Sequence, residues 1–137
     1  MRPFHLAFPV ADLTSTERFY VDCLGCKIGR TAERWIDFDL YGHQITAHLL
    51  PERAGSAGTN PVDGDQIHVP HFGVILSKDS WLALVNHLQE CQQTFLLAPK
   101  IRFAGQVGEQ GTFFIRDPSA NVLEFKYFED DALIFAK

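Results

Sequence analysis

The sequence predicts an α+β protein made of two copies of a strand-helix-strand-strand-strand module. Three observations carry that expectation. Two apolar stripes at helical spacing, one ending near Gly25 and one near Cys91, each follow an apolar strand-like run. Each stripe is followed by three short segments with strand character. The resulting order of elements occurs twice in 137 residues, a length that suits one domain holding an internal repeat.

In chain order, Pro3 to Val10 reads as a short strand interrupted by His5. Asp12 or Thr14 can cap a helix reaching about Leu24, with Phe19, Tyr20 and Leu24 on its apolar side and Gly25 as the stop. Strands are expected at Lys27 to Arg30, Trp35 to Leu40 and Gln44 to Leu50, with a turn at Tyr41-Gly42-His43. Pro51 to Asp65 is rich in Gly, Pro, Ala, Ser, Asn and Asp, lacks either periodicity, and reads as a connecting loop.

The second copy opens at Ile67 to Leu76, an apolar strand broken by His68 and His71. Ser77 or Asp79 starts a helix to about Cys91 whose stripe is Trp81, Leu84, Val85 and Leu88. Further strands are expected at Phe95 to Phe103, Thr112 to Arg116 and Val122 to Phe128. The modules thus span about residues 1–52 and 66–128, joined by the loop at 51–65, with a tail at 129–137. The aromatic residues of both helices are expected to pack on the backs of the sheets.

Composition narrows the function classes. Hydrophobic content of 46% with 21% charged residues fits a globular chain that buries a core, about two-thirds of the surface its unfolded form exposes. A formal charge of -5 disfavours nucleic acid, whose phosphates call for clustered Lys and Arg. No apolar run has the roughly 18 residues of a membrane span, and Met1-Arg2-Pro3-Phe4-His5 lacks the apolar core of a signal peptide, so a cytoplasmic address and a small-molecule partner are expected. Three cysteines, an odd number, match a reducing compartment better than a disulfide framework. Cys23-Leu24-Gly25-Cys26 has redox spacing, but it falls at a helix end with no second such pair, so packing is the expected role.

The polar interruptions of the strands carry the chemistry. Aligning His5 to Val10 with His71 to Leu76 superposes the two strand histidines. Aligning Ile45-Thr46-Ala47-His48-Leu49 with Asn121-Val122-Leu123-Glu124-Phe125 superposes His48 on Glu124, an acid flanked by Leu123 and Phe125. Imidazole and carboxylate suit Fe(II), Mn, Ni, Co or Zn, and two histidines with one carboxylate form the facial set of non-haem iron oxygenases. His43, His68 and His87 stand outside this pattern, in a turn, on the other side of its strand from His71, and in a helix.

The run Phe4 to Val10, Asp12-Leu13, Phe19-Tyr20, Leu24-Gly25 and the ending Phe114-Ile115-Arg116-Asp117-Pro118-Ser119-Ala120-Asn121-Val122-Leu123-Glu124-Phe125 resemble the vicinal oxygen chelate superfamily. That superfamily includes glyoxalase I, extradiol dioxygenases, fosfomycin-resistance proteins and bleomycin-binding proteins. The resemblance covers nearly the whole chain, and the Asp-Pro turn followed by the acid is its most specific part. It implies paired βαβββ modules whose curved mixed sheets enclose a metal-binding cleft, with helices on the outer faces. It also implies metal ligands at His5, His71 and Glu124, with His48 either a fourth ligand or a neighbour that hydrogen-bonds substrate.

Function follows as an expectation with alternatives. Two histidines and a glutamate favour a metal-dependent, extradiol-dioxygenase-like oxygenase acting on neighbouring oxygen atoms, with His48 and Glu124 as candidate catalytic groups. The short chain equally suits a glyoxalase-like lyase or isomerase, or a resistance-type transferase. A non-catalytic, bleomycin-type binding protein is the alternative of a different class. Arg102, Arg116 and Lys126 are candidates to line a pocket for a thiol cofactor or a phosphonate. A homodimer with clefts drawing on both subunits is expected from the resemblance.

Overall fold

The computed structural model describes residues 1–55, 58–62 and 64–137. The chain forms two compact units, residues 1–70 with 117–122, and residues 71–116 with 123–137. Each contains one four-stranded mixed sheet with a helix-bearing face.

In the first unit the strands are β1 (His5–Val10), β2 (Lys27–Ala32), β3 (Trp35–Leu40) and β4 (His43–Leu49), ordered β1-β4-β3-β2. β1 runs parallel to β4, and the other neighbours are antiparallel. Alternation along β3 and β4 sends Ile36, Phe38, Leu40, Ile45 and Ala47 into the core. Asp12 caps α1 (Leu13–Arg18), its carboxylate accepting the Ser15 N–H at 2.7 Å. The expected single helix to Leu24 widens at Phe19–Cys23, where the Leu24 N–H bonds back to the carbonyl of Phe19, five residues earlier. Tyr20, wholly buried in this wider turn, stacks on Phe38 at 5.1 Å. Gly25 follows at φ +72°, the left-handed position that stops the helix.

The segment expected to be a loop carries structure. β5 (Gly58–Val62) and β6 (Asp65–Val69) pair as an antiparallel hairpin, and Pro51–Arg53 makes one tight helical turn. Of the expected loop, Ser56, Ala57 and Asp63 lie outside the described residues. The expected strand from Ile67 to Leu76 is also divided. It ends at Val69 before Pro70, which has no N–H for a ladder, and resumes as a single bridge at Phe72 and then β7 (Ile75–Leu76).

In the second unit the order is β7-β10-β9-β8, with β8 (Phe95–Arg102), β9 (Gln110–Arg116) and β10 (Val122–Phe128), all but the first residue of β10 belonging to this unit. β7 and β10 are parallel, as β1 and β4 are. Ser77 caps α2 (Lys78–Glu90), accepting the Ser80 N–H at 3.2 Å. The stripe predicted for this helix, Trp81, Leu84, Val85 and Leu88, is its buried face. Trp81 donates its indole N–H to the Phe125 carbonyl at 2.9 Å and packs edge-on against Tyr127 at 5.1 Å. That contact commits Leu123, Phe125 and Tyr127 to the helix side and leaves Glu124 and Lys126 on the opposite face.

The turn between β9 and β10 returns to the first unit. Asp117 is 4% exposed and spends both carboxylate oxygens there. Oδ1 accepts the N–H groups of Ser119 and Asn121, and Oδ2 accepts the Tyr20 hydroxyl and the Asn121 side-chain amide, all at 2.9 Å. Asn121 also donates to the Pro9 carbonyl at 2.8 Å, and Ser119 accepts the Ala11 N–H at 2.9 Å. The Asp-Pro-Ser-Ala-Asn run therefore serves packing, and the acid that follows it is free for other work.

Candidate functional site

The face of the second unit's sheet opposite α2 gathers an imidazole, a carboxylate, an ammonium and a hydroxyl. His71, placed just before the bridge at Phe72, brings Nε2 to 3.0 Å from Glu124 Oε2. The other carboxylate oxygen, Oε1, accepts the Thr112 hydroxyl at 3.0 Å and faces the Lys126 ammonium at 3.3 Å. The His71 ring meets Phe114 edge-on at 5.1 Å. Burial pushes the Glu124 carboxyl up, but the bonds from His71, Lys126 and Thr112 together outweigh it and leave the carboxyl below its ordinary value. The group is therefore an anion at neutral pH, with 13% of its side chain exposed.

Close approach of the backbone makes this possible. A Cβ on Gly73 would lie 1.6 Å from the Glu124 carbonyl oxygen. Only glycine lets the strand carrying His71 run against β10 at that point. The Glu124 N–H then reaches the Phe72 carbonyl at 2.9 Å.

The first unit presents a related but different set. His5 is exposed at the start of β1 and stands in register with Gln44, whereas His48 is in register with Pro9. The two histidines are four residues apart along parallel neighbours, about 13 Å of strand rise, so this sheet does not bring them together. The register also moves the repeat. His5 pairs with Gln44 as His71 aligns with Val122, one step before the Phe72 to Leu123 bridge, so the counterpart of Glu124 is Thr46, two residues before His48.

Thr46 has a carboxylate partner of its own. Its hydroxyl donates to Asp37 Oδ1 at 2.6 Å across the β3-β4 pair, and Arg30 Nε lies 3.6 Å from Oδ2. Asp37 is 6% exposed on the face opposite Ile36 and Phe38, and lines a cavity of about 350 Å³ with Gly29, Arg30, Asp39, His43 and Gln44. Each sheet thus sets a carboxylate, a hydroxyl and a basic side chain together, and the second unit adds an imidazole. Asp37 and Thr112 were not among the residues expected at the site. Alternation in Trp35-Ile36-Asp37-Phe38-Asp39-Leu40 was the available signal for Asp37.

Of the remaining histidines, His43, expected in a turn, opens β4, and His68, expected on one strand with His71, lies in β6, which ends at Val69. His43 Nδ1 accepts the Phe4 N–H at 3.0 Å, His68 lies opposite Thr59 in the hairpin, and His87 contacts Glu90 and Cys91 along α2. Cys23 and Cys26 are not joined in a disulfide, and burial with the nearby Asp39 charge pushes Cys26 up to about 12, the reverse of a reactive redox thiol.

Comparison with known proteins agrees with this architecture. Residues 2–125 match the family model of the Glyoxalase/Bleomycin resistance protein/Dioxygenase superfamily. A solved glyoxalase/bleomycin resistance protein/dioxygenase from Alicyclobacillus acidocaldarius is 35% identical, with 97% of this chain and 96% of that one covered and a TM-score of 0.80. A lactoylglutathione lyase from Agrobacterium tumefaciens, at 18% identity, covers 90% of this chain and 91% of its own with a TM-score of 0.65. A genomically encoded fosfomycin resistance protein from Listeria monocytogenes, at 13% identity, covers 90% and 89% with a TM-score of 0.65. The last two share the fold. The chain belongs to the Glyoxalase/Bleomycin resistance protein/Dioxygenase superfamily.

Members of this superfamily typically use a divalent metal, and the donors here can be tested for fit. Within each unit, among the described residues, no three His, Cys, Asp or Glu side chains gather around one point. The second unit does supply two donors of the right chemistry. The 3.0 Å between His71 Nε2 and Glu124 Oε2 equals the spacing of two ligands at right angles with bonds of about 2.1 Å. The pair therefore suits one edge of a coordination sphere. Among the described residues no helix is long and apolar enough to cross a membrane.

Proposed function

We propose that the protein is a divalent-metal-dependent enzyme of the glyoxalase/dioxygenase type, acting on a small molecule with neighbouring oxygen atoms. The observation that carries this reading is the 3.0 Å approach of His71 Nε2 to Glu124 Oε2 on the sheet face opposite α2. His71 and Glu124 would hold the ion, and the assignment of His5 to the same ligand set rests on the sequence resemblance alone. The register separates His48 from His5 by four residues, which favours reading His48 outside the ligand set, and a role in hydrogen-bonding substrate or moving a proton is proposed for it from the resemblance. A bound Fe(II), Mn, Ni, Co or Zn supplies Lewis acidity and open positions for two adjacent substrate oxygens.

The chain's own residues do the rest. Thr112 and Lys126 fix Glu124 through Oε1, which leaves Oε2 turned toward His71. Phe114 limits how far the imidazole can tilt. A two-histidine, one-carboxylate set favours an extradiol-type oxygenase, while a lyase, isomerase or resistance-type transferase uses the same donors. A cytoplasmic homodimer belongs to this reading, and sedimentation of the metal-loaded protein checks it. A bleomycin-type binding protein is the competing class, and metal analysis separates the two. Protein purified without chelator should carry a transition metal or bind one on titration. Absence of both, with ligand binding unaffected by Glu124→Gln, would leave only the binding protein.

A further inference from the structure

Lys126 is the feature that a metal-binding role for Glu124 does not by itself require. It follows Glu124 by two positions, so the pleat of β10 sets both side chains on one face, and its ammonium stands 3.3 Å from Oε1. The lysine side chain is 37% exposed and the glutamate 13%, so the ammonium is the more solvent-exposed partner of the pair. Lys126 and Glu124 balance one another. Adding a divalent cation on the His71 side would leave this face with two uncompensated positive charges.

Two effects of the lysine on metal binding oppose each other. Holding Glu124 in place favours binding, by about what one charge-assisted hydrogen bond contributes. Repulsion between the ammonium and a divalent ion acts over several ångströms, doubles with the ion's charge, and is stronger at a partly closed site than in water. Exposure of the lysine screens it without removing it. An anion chelating through two oxygens would cancel the repulsion and leave the positioning of Glu124 in place.

Resting on the metal-dependent reading above, we propose that Lys126 sets the substrate class of this site. It weakens the retention of a divalent metal alone and couples tight retention to an anionic ligand with neighbouring oxygens. The lysine acts here as a fixed charge, and Arg at the same position should do the same work.

The test is titration of the full-length protein with Mn(II), followed by the loss of free-ion signal, with and without oxalate and corrected for the manganese-oxalate complex in solution. Wild type and Lys126→Arg should bind Mn(II) weakly alone and at least about tenfold more tightly with oxalate. Lys126→Gln and Lys126→Met should bind Mn(II) alone about tenfold more tightly than wild type and lose most of the oxalate effect. Unchanged or weaker Mn(II) binding in those two variants, with wild type binding Mn(II) and Glu124→Gln not, would overturn the role of Lys126 while sparing the metal site. Failure of every form to bind Mn(II), with or without oxalate, would overturn both.

Discussion

Tyr20 and Asp117, 97 positions apart in the chain, meet through a buried hydrogen bond of 2.9 Å. The tyrosine is wholly buried and the aspartate nearly so. This bond ties the turn that launches β10 to the helical segment of the first unit, and it explains why the Asp-Pro turn is so specific a feature of the sequence. Tyr20→Phe removes the donor and leaves Oδ2 with the Asn121 amide alone. The expected cost is about 1–3 kcal/mol. Asp117→Ala should cost more, since it orphans two N–H groups, the Tyr20 hydroxyl and one amide donor together. Urea unfolding of the two variants checks both, and an unshifted midpoint for Tyr20→Phe would show that the bond contributes nothing.

Gly73→Ala should be far more damaging than its exposure suggests. The added carbon would overlap the Glu124 carbonyl oxygen, a backbone atom that moves only if β10 moves. Overpacking of that kind costs about 1–3 kcal/mol or more. The displaced strand would also carry Glu124 away from His71. A lowered melting temperature together with weakened metal binding is expected, and a fully stable variant would contradict the close approach.

Acid should remove stability in a window to which Glu109 contributes. The Lys78 ammonium at 2.8 Å, the Gly105 N–H and the Tyr127 hydroxyl hold its carboxyl down to about 2, from 4.5. A lowered folded value means that the unfolded chain takes up the proton first, so the stability this group contributes is complete above about 4.5 and fades as pH falls toward 2. Glu124, also lowered, acts in the same direction. Denaturant midpoints measured from pH 6 downward should fall through this window, and Lys78→Met should flatten the fall.

Much of this could be read from the chain before folding was considered. Alternation and the helical stripes were legible in both modules, because strands such as β3, β9 and β10 bury core positions and the stripe of α2 is its buried side. The β5-β6 hairpin escaped notice for a physical reason. Every residue of β5 is exposed, so no buried face imposes alternation, and Gly58 and Pro61 read as loop residues. The slip that paired His48 with Glu124 arises from the pleat itself. Thr46 and His48 lie on one face, and a shift of two positions preserves the alternation, so only the hydrogen-bonded register distinguishes them. Lys126 was visible as a candidate basic residue, but its contact with Oε1 needed coordinates.

Thiol reactivity offers an independent check on the Cys23 to Cys26 spacing. Cys91 is exposed, whereas Cys26 is buried with its thiol pushed up to about 12. A disulfide-exchange reagent near neutral pH should label Cys91 first and leave Cys26 unmodified in the folded protein. Rapid labelling of Cys26, or formation of a Cys23 to Cys26 disulfide under mild oxidant, would revive a redox role.

The most direct measurement of the metal site is elemental analysis of protein purified without chelator, followed by titration with Fe(II), Mn, Ni, Co and Zn in wild type, His71→Ala and Glu124→Gln. If His71 and Glu124 are ligands, wild type takes up about one transition metal per chain at saturation of the titration, and both variants bind it at least about a hundredfold more weakly while keeping their fold. Equal binding by all three proteins, or no binding by wild type for any of these metals, would contradict a metal centre built on the His71 to Glu124 contact.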